Sequence, residues 1–258
     1  MSDGVSVIPL RGLPELSEGD DLAGLITAAA ARAGGLEAGD VLVVAQKAVS
    51  KVEGRTVSLA DIEPSEKARE LAGPDGDPRH VEVILRESRA VLRSRPPLVI
   101  SETQHGFVCA SAGVDASNAK VPDTLVLLPL DPDASAARLR ERLHELTGVE
   151  VGVIVSDSFG RAWRQGTTDV ALGVAGITAL RDLRGERDSA GYELQSTQIA
   201  VADEIAGAAE LVMGKTAGIP AAIVRGVAAA GDGIGADLVM PRERDLFRDS
   251  LETGHGAA

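Results

Sequence analysis

Short runs of apolar, mostly β-branched residues recur along the chain at 41–45, 98–101, 106–110, 124–130, 151–155 and 221–224. Each has the length of a strand and is bounded by polar or turn-forming residues. The Q-H-G at 104–106 predicts a hairpin turn between the second and third of these strands. Between the strands the spacing changes to that of helices. Val81, Ile84, Leu85, Val91 and Leu92 predict one helix, and Leu139, Leu143 and Leu146 a second. Asp133 or Ser135 is the expected N-cap of that second helix, and Gly148 its stop. Further helices are expected over 202–213 and 241–251, a surface loop over the A-G-P-D-G-D-P at 72–78, and a frayed end from Gly254 onward. There is no internal repeat and no low-complexity segment. Strands interleaved with helices predict a mixed α/β (α+β) fold.

Composition narrows the picture. The 258 residues suffice for a substantial core, as one large domain or two intertwined smaller ones. Only 2% of them are aromatic, so the 44% hydrophobic content is carried by aliphatic side chains, which suit parallel or mixed sheets covered by helices. A formal charge of −13 argues against nonspecific binding to nucleic acid. It leaves room for an anionic ligand, because local cations act within a screening length of about 8–10 Å. A single cysteine, Cys109, excludes an intramolecular disulfide and a cysteine-based zinc cluster. The opening M-S-D-G-V-S-V has neither a basic nor an apolar signal region, and the aliphatic stretch near 221–230 is broken by Arg225. The expectation is a soluble cytoplasmic protein without membrane partners.

The candidate chemistry centres on V-S-D-S-F-G-R-A-W-R, residues 155–164. Here an apolar run ends at Asp157 and Ser158, a hard-cation donor pair, followed by Arg161 and Arg164 around Trp163, the only tryptophan. A helix N-cap would explain Asp157 but not the arginines and the ring together. A second carboxylate, Asp115, follows small residues in A-S-A-G-V-D-A-S-N, with Asn118 three positions on; the alternative is an Asx-turn bonding its own backbone. Two carboxylates about 4 Å apart repel by roughly 4 kcal/mol at an effective dielectric near 20, so convergence of Asp115 and Asp157 would call for a divalent ion. In 45–55, Lys47, Lys51 and Arg55 form either a solvated basic face or a phosphate-reaching group led by Lys51. The G-K-T at 214–216 is no P-loop, since Ala209 stands where its first glycine belongs and a helix precedes it. G-D-G-I-G at 231–235 also fails the dinucleotide pattern. His80, His105, His144 and His255 share no metal spacing and read as structural or surface residues, Cys109 reads as a small buried hydrophobe, and the chain contains no G-x-S-x-G.

Taken in order, G-L-P-E-L-S-E-G-D-D-L, V-L-V-V-A-Q-K-A-V-S-K-V-E-G-R, A-G-V-D-A-S-N, L-L-P-L-D-P-D-A-S-A, V-S-D-S-F-G-R-A-W-R, V-A-D-E-I-A and I-P-A-A-I-V-R-G resemble the coenzyme F-420:L-glutamate ligase family, from about Pro9 to Arg225. The resemblance implies ligation of L-glutamate to the terminal carboxylate of the phospholactate tail of coenzyme F-420-0, with GTP as co-substrate cleaved to GDP and phosphate. It implies Mg²⁺ or Mn²⁺, with K⁺ as a further cation, and an intertwined homodimer of two interleaved subdomains formed by a single ligase domain over 1–253. Asp115, Asp157 and Ser158 match the family's divalent-metal positions. Leu13, Pro14, Glu15, Leu16, Gln46, Lys51, Asn118 and the loop Val212, Met213, Gly214, Lys215, Thr216, Ala217 and Gly218 match its nucleotide-contact positions. Gln46 stands where some members have serine, and the 212–218 loop is a residue shorter than in some archaeal members. Asp115, Asp157, Arg161 and Arg164 are the expected catalytic set, the arginines as an anion clamp. A metal-dependent phosphohydrolase and a non-catalytic GTP-binding protein are the alternatives that the same residues would serve.

Overall fold

The computed structural model describes residues 4–117 and 122–247. Two compact units alternate along the chain, one made of Met1–Arg55 and Leu128–Leu238, the other of Thr56–Leu127 and Val239–Ala258. In the first unit β1 (Ser6–Pro9) leads to α1 (Leu22–Arg32), then β2 (Val41–Ala45) runs directly into α2 (Gln46–Val52). The second unit holds β3 (Thr56–Ser58), α3 (Glu66–Ala72), α4 (Pro78–Glu87), β4 (Ser88–Arg95), β5 (Leu98–Thr103), β6 (Val108–Ala110) and β7 (Thr124–Val126). The chain then returns to the first unit with α5 (Pro132–Thr147), β8 (Gly152–Arg161), β9 (Arg164–Ala175), β10 (Arg181–Asp182), β11 (Gln198–Ile199), α6 (Val201–Met213) and β12 (Ala221–Arg225). Both units combine helices with sheets, so the fold is mixed α/β.

The first unit is built on a five-stranded sheet in the order β1-β12-β2-β8-β9. Only β2 and β8 run parallel; the other neighbours are antiparallel. One face carries Leu42, Val44, Val153, Val155 and Ile223 against Ile26 and Ala30 of α1 and Leu139 and Leu143 of α5. The other carries Val43, Ile154, Val174 and Ala222 against Ile205, Ala206 and Ala209 of α6. Helices on both faces explain why V-L-V-V-A is apolar throughout rather than alternating. Each large aliphatic side chain buried in these layers contributes about 1.5–3 kcal/mol.

Local signals set the helix ends. Asp131, not Asp133 or Ser135, caps α5 by accepting from Ala134 N at 2.9 Å, with Pro132 in the first turn; the stop at Gly148 is as expected. Asp133 instead accepts from Val174 N and Gly235 N, tying β9 and the 235–238 turn to this helix. Gly173 is required where β9 meets α5, since a Cβ there would lie 2.0 Å from Pro132 O. The G-D-G-I-G segment has a similar cause: Cβ atoms at Gly231, Gly233 and Gly235 would meet neighbouring atoms at 2.3, 2.3 and 2.1 Å. These glycines serve close packing of chain on chain. At the other end of the sheet Arg225 makes a bidentate pair with the buried Asp40 at 2.8 and 2.9 Å.

In the second unit Val81 and Ile84 of α4 and Ala68 and Ala72 of α3 pack with Val99, Leu125 and Leu127. Its sheets are β4-β5-β6 and β3-β7, and the 104–106 turn does join β5 to β6. The helix expected to include Val91 and Leu92 stops at Glu87. Those residues belong to β4, whose register against β5 overrides the helical spacing. The helix expected over 241–251 is reduced, among the described residues, to a 3₁₀ turn at Arg242–Arg244, and the frayed end from Gly254 lies outside them. No helix of the described residues is long and apolar enough to cross a membrane.

Candidate functional site

The sheet topology of the first unit gathers distant segments at one end. Ala45, the last residue of β2, is level with Ser156 in β8, and Val44 is level with Ala221 at the start of β12. Pro9, at the end of β1, is level with Ala222. The carboxyl end of the parallel pair therefore receives four things. They are the segment after β1 with Leu13, Pro14, Glu15 and Leu16; the start of α2 with Gln46 and Lys47; Asp157 and Ser158; and the loop from Val212 to Gly218 that precedes β12. Ligands of α/β sheets gather at this end because the strands stop there and their loops splay apart.

Asp157 lies inside β8, which continues to Arg161, so the apolar run ends here but the strand does not. Burial pushes its carboxyl up from the ordinary 3.8 to about 6; a hydrogen bond from its neighbour Ser158 and the ammonium groups of Lys215 and Lys47 oppose this, and the Asp169 carboxylate adds to it. Alternation along the strand turns Ser156 and Ser158 to the opposite side from Asp157. There Ser156 Oγ donates to Asp169 Oδ2 at 2.9 Å and Ser158 Oγ to Asp169 Oδ1 at 2.6 Å. Asp169, on β9, is 5% exposed. Nearby on α6, Asp203 accepts from Ala171 N, and burial raises its pKa.

Arg161, Trp163 and Arg164 form the exposed tip of the β8–β9 hairpin rather than a turn beside Asp157. Trp163 is 83% exposed and has a φ of 55°, in the left-handed region. Arg161 donates to Gln165 O at 3.3 Å. Four residue steps of strand lead from Asp157 to Arg161, about 13 Å at 3.3 Å per residue. The arginines thus stand well along the strand from the carboxylate expected to hold the cation.

At the base of the site Gln46 is 1% exposed; its Oε1 accepts from Ser50 Oγ at 2.9 Å, while its buried Nε2 has no partner. Lys51 Nζ donates to Glu15 Oε1 at 2.5 Å, linking two of the expected nucleotide-contact positions. α6 runs straight into Gly214, so the 214–216 loop meets the negative end of a helix dipole, the reverse of a P-loop. That end favours cations.

Asp115 belongs to the second unit. Its backbone bridges Val126, and its Oδ1 accepts from Ser117 N at 2.6 Å, the Asx-turn geometry. The preceding Ser111, Ala112 and Gly113 all have positive φ, at 54°, 50° and 71°. A left-handed turn costs about 1–2 kcal/mol per residue with a side chain, and such strain clusters at functional sites. His80 of α4 contributes to this corner: it bonds the Val114 backbone and feels Asp77 and Asp115, while burial pushes its pKa down. Its Nε2 is buried without a partner. Asn118 lies outside the described residues.

The donors at the end of β8 are hard oxygens, which suit Mg²⁺ or Mn²⁺ rather than a soft metal. Ser158, expected on the same ion as Asp157, is turned by the strand's alternation to the other side and donates its hydroxyl hydrogen to Asp169. Among the described residues no group of three or more His, Cys, Asp or Glu could hold a metal ion. Asp157 by itself would leave a divalent ion to be completed by water and substrate phosphate, as Mg²⁺ commonly is. Sequence reasoning did not single out Asp169, which sits in the polar Q-G-T-T-D stretch, while His80, read as structural or surface, is a half-buried neighbour of Asp115.

Residues 12–226 match the family model described as F420-0:Gamma-glutamyl ligase. The chain is 47% identical over 252 residues to the coenzyme F420:L-glutamate ligase of Methanothermobacter thermautotrophicus, covering 95% of this chain and 99% of the relative. It is 48% identical over 251 residues to the protein of that name from Methanopyrus kandleri, covering 95% and 97%. For that from Archaeoglobus fulgidus the identity is 45% over 250 residues, covering 96% and 98%.

Proposed function

Since the chain belongs to the F420-0:gamma-glutamyl ligase family, we propose that it joins L-glutamate to coenzyme F-420-0 and uses GTP to do so. The observation that carries the GTP-dependent reading is the gathering of Leu13–Leu16, Gln46, Lys51, Asp157 and the 212–218 loop at one end of a sheet. Lys51, Lys47 and Lys215 supply positive charge for a polyphosphate in a chain of net charge −13. The unpartnered Gln46 Nε2 supplies a buried donor that a bound polar group would satisfy.

In the proposed reaction, an oxygen of the coenzyme's terminal carboxylate attacks the γ-phosphorus of GTP, GDP leaves, and an acyl phosphate forms. The glutamate amine then attacks the acyl carbon, phosphate leaves, and the amine loses a proton as the amide forms. Asp157 would hold a divalent cation, which when bound would neutralise phosphate charge during transfer. Such chemistry rests on positioning and electrostatics, so a Ser-His or Cys-His nucleophile is not required. Arg161, Trp163 and Arg164, about 13 Å along the strand from Asp157, serve a distant part of a long substrate rather than the transferred phosphate. Repetition of the cycle on an extended tail would add further γ-linked glutamates.

The test is a mass measurement. The protein is incubated with GTP, Mg²⁺ or Mn²⁺, L-glutamate and unglutamylated coenzyme, and each component is omitted in turn. A gain of one glutamate that needs all four supports the reading. Phosphate release without glutamate would make it a phosphohydrolase, and GTP binding without phosphate release a non-catalytic binder. Asp157→Asn should abolish turnover with the fold retained; wild-type activity at saturating metal would remove Asp157 from the cation's ligands. Asp115→Asn tests the expected role of Asp115 in the same way.

A further inference from the structure

The β8–β9 hairpin outruns the sheet it belongs to. β2 pairs with β8 only as far as Ser156, so among the described residues β8 and β9 continue from Asp157 to the turn as a two-stranded ribbon. Residues 160–167 at its tip are all exposed. Three local choices there work against a simple turn. Arg161 and Arg164 stand directly opposite each other, and like charges so placed repel. Among the described residues neither is in an ion pair, although the chain carries a net charge of −13. Trp163 has a φ of 55° at a turn position that ordinarily takes glycine or asparagine. Its indole, the only one in the chain, is 83% exposed. A hairpin that needed only to turn would place Asn-Gly here and avoid all three. Strain of this kind gathers where a ligand is held.

An exposed indole beside two guanidiniums outside any ion pair suits a flat conjugated ring that carries a phosphate. Resting on the reading of the protein as a ligase of coenzyme F-420-0, we propose that the hairpin tip is the outer subsite for that coenzyme. The Trp163 indole stacks on its planar deazaflavin ring, and Arg161 and Arg164 hold its phosphodiester. Directly opposite residues share one face of a ribbon, so the two guanidiniums form a single fork for one anion. The anion also removes the repulsion between them. GTP is a flat ring with phosphates too, but its expected contacts lie at the carboxyl end of the sheet, about 13 Å back along β8. The tip therefore supplies affinity for the coenzyme and leaves the transfer chemistry to the sheet end.

The full chain is titrated with unglutamylated coenzyme in the presence of GDP and without L-glutamate, following quenching of the coenzyme's own fluorescence. Wild type is compared with Trp163→Ala, Trp163→Phe, Trp163→Gly and the double variant Arg161→Gln/Arg164→Gln. Melting temperature and sedimentation are recorded for each. Trp163→Ala should weaken binding at least about fivefold, the loss of one ring-on-ring stack, and Trp163→Phe less than twofold. The double arginine variant should also lose at least about fivefold, and its binding should respond less to salt than that of wild type. For the same deazaflavin without its phospholactate tail, the Trp163 effect should persist and the arginine effect vanish. In turnover the KM for the coenzyme should rise in parallel, with kcat and the KM for GTP within twofold of wild type. Trp163→Gly, which suits the left-handed turn, should melt no lower than wild type yet bind the coenzyme as weakly as Trp163→Ala. If the alanine and double arginine variants bind the coenzyme like wild type while glutamate is still added, this inference is overturned and the ligase reading stands. A matching rise in the KM for GTP, or a change in sedimentation, would instead make the tip a nucleotide contact or a contact between copies. Wild type that neither binds the coenzyme nor adds glutamate would remove the ligase reading and the inference with it.

Discussion

Placing a carboxylate where burial raises its pKa to about 6 has a thermodynamic signature that does not require the substrate. A rise from 3.8 to about 6 corresponds to about 3 kcal/mol between protonation states, at 1.36 kcal/mol per pKa unit. The sign follows from linkage. Because the folded protein ionises Asp157 less readily than the unfolded chain, the site lowers stability wherever the group must be charged. Below 3.8 both states are protonated and the cost vanishes; above about 6 it is fully present. Asp157→Asn removes the charge but keeps an acceptor for the Ser158 hydrogen bond. In urea unfolding with EDTA, the variant should be more stable than wild type by about 3 kcal/mol at pH 7.5 and by about 1 kcal/mol at pH 4.5. Saturating Mg²⁺ at pH 7.5 should stabilise wild type and close the gap. A variant no more stable than wild type at pH 7.5, or a gap that ignores pH, would refute the idea that Asp157 is a desolvated carboxylate.

Other perturbations probe different links. Gly173→Ala forces a Cβ to within 2.0 Å of Pro132 O, so α5 must retreat from β9; the urea midpoint should fall by an amount equivalent to at least about 2 kcal/mol. Trp163→Ala, at an exposed hairpin tip, should change stability by less than about 0.5 kcal/mol, so that any rise in KM for the coenzyme in the same variant reports lost binding. Lys51→Met should raise the KM for GTP at least about tenfold, with the unfolding midpoint nearly unchanged; an unaltered KM would assign Lys51 to its pair with Glu15 alone.

Much of the first unit could be read from its residues. V-L-V-V-A matches β2 residue for residue, and the expected helices over 139–146 and 202–213 fall within α5 and α6. These elements are legible because their apolar faces alone decide their state. β9 was hidden: Q-G-T-T-D looks like a loop, yet it is strand because Asp169 accepts the serines of β8 and Gly173 admits α5. The same long-range logic ended α4 early, since nothing near Val91 announces its pairing with Ser101 in β5. Asp157 stood out because an apolar run stops at a carboxylate. Nearness in sequence suggested nearness to Arg161 and Arg164, but an extended strand carries neighbours apart as fast as a chain can. The family resemblance added the expected roles of Leu13–Leu16 and the 212–218 loop, which no local pattern contains.

The strand order also constrains how the protein comes to exist. β12 is the last strand of the large sheet to be synthesised, yet it fills the gap between β1 and β2, the first two. β2 waits for its other neighbour, β8, until all of 56–127 has been made. Such distant pairings are slow to form, because long stretches of chain must be ordered before any contact repays them. The 212–218 loop leads into β12, so the end of the sheet that gathers the candidate residues is complete only with β12 paired between β1 and β2. A nascent or truncated chain that stops short of Ala221 therefore lacks the strand that joins β1 to β2 and anchors this loop in the sheet.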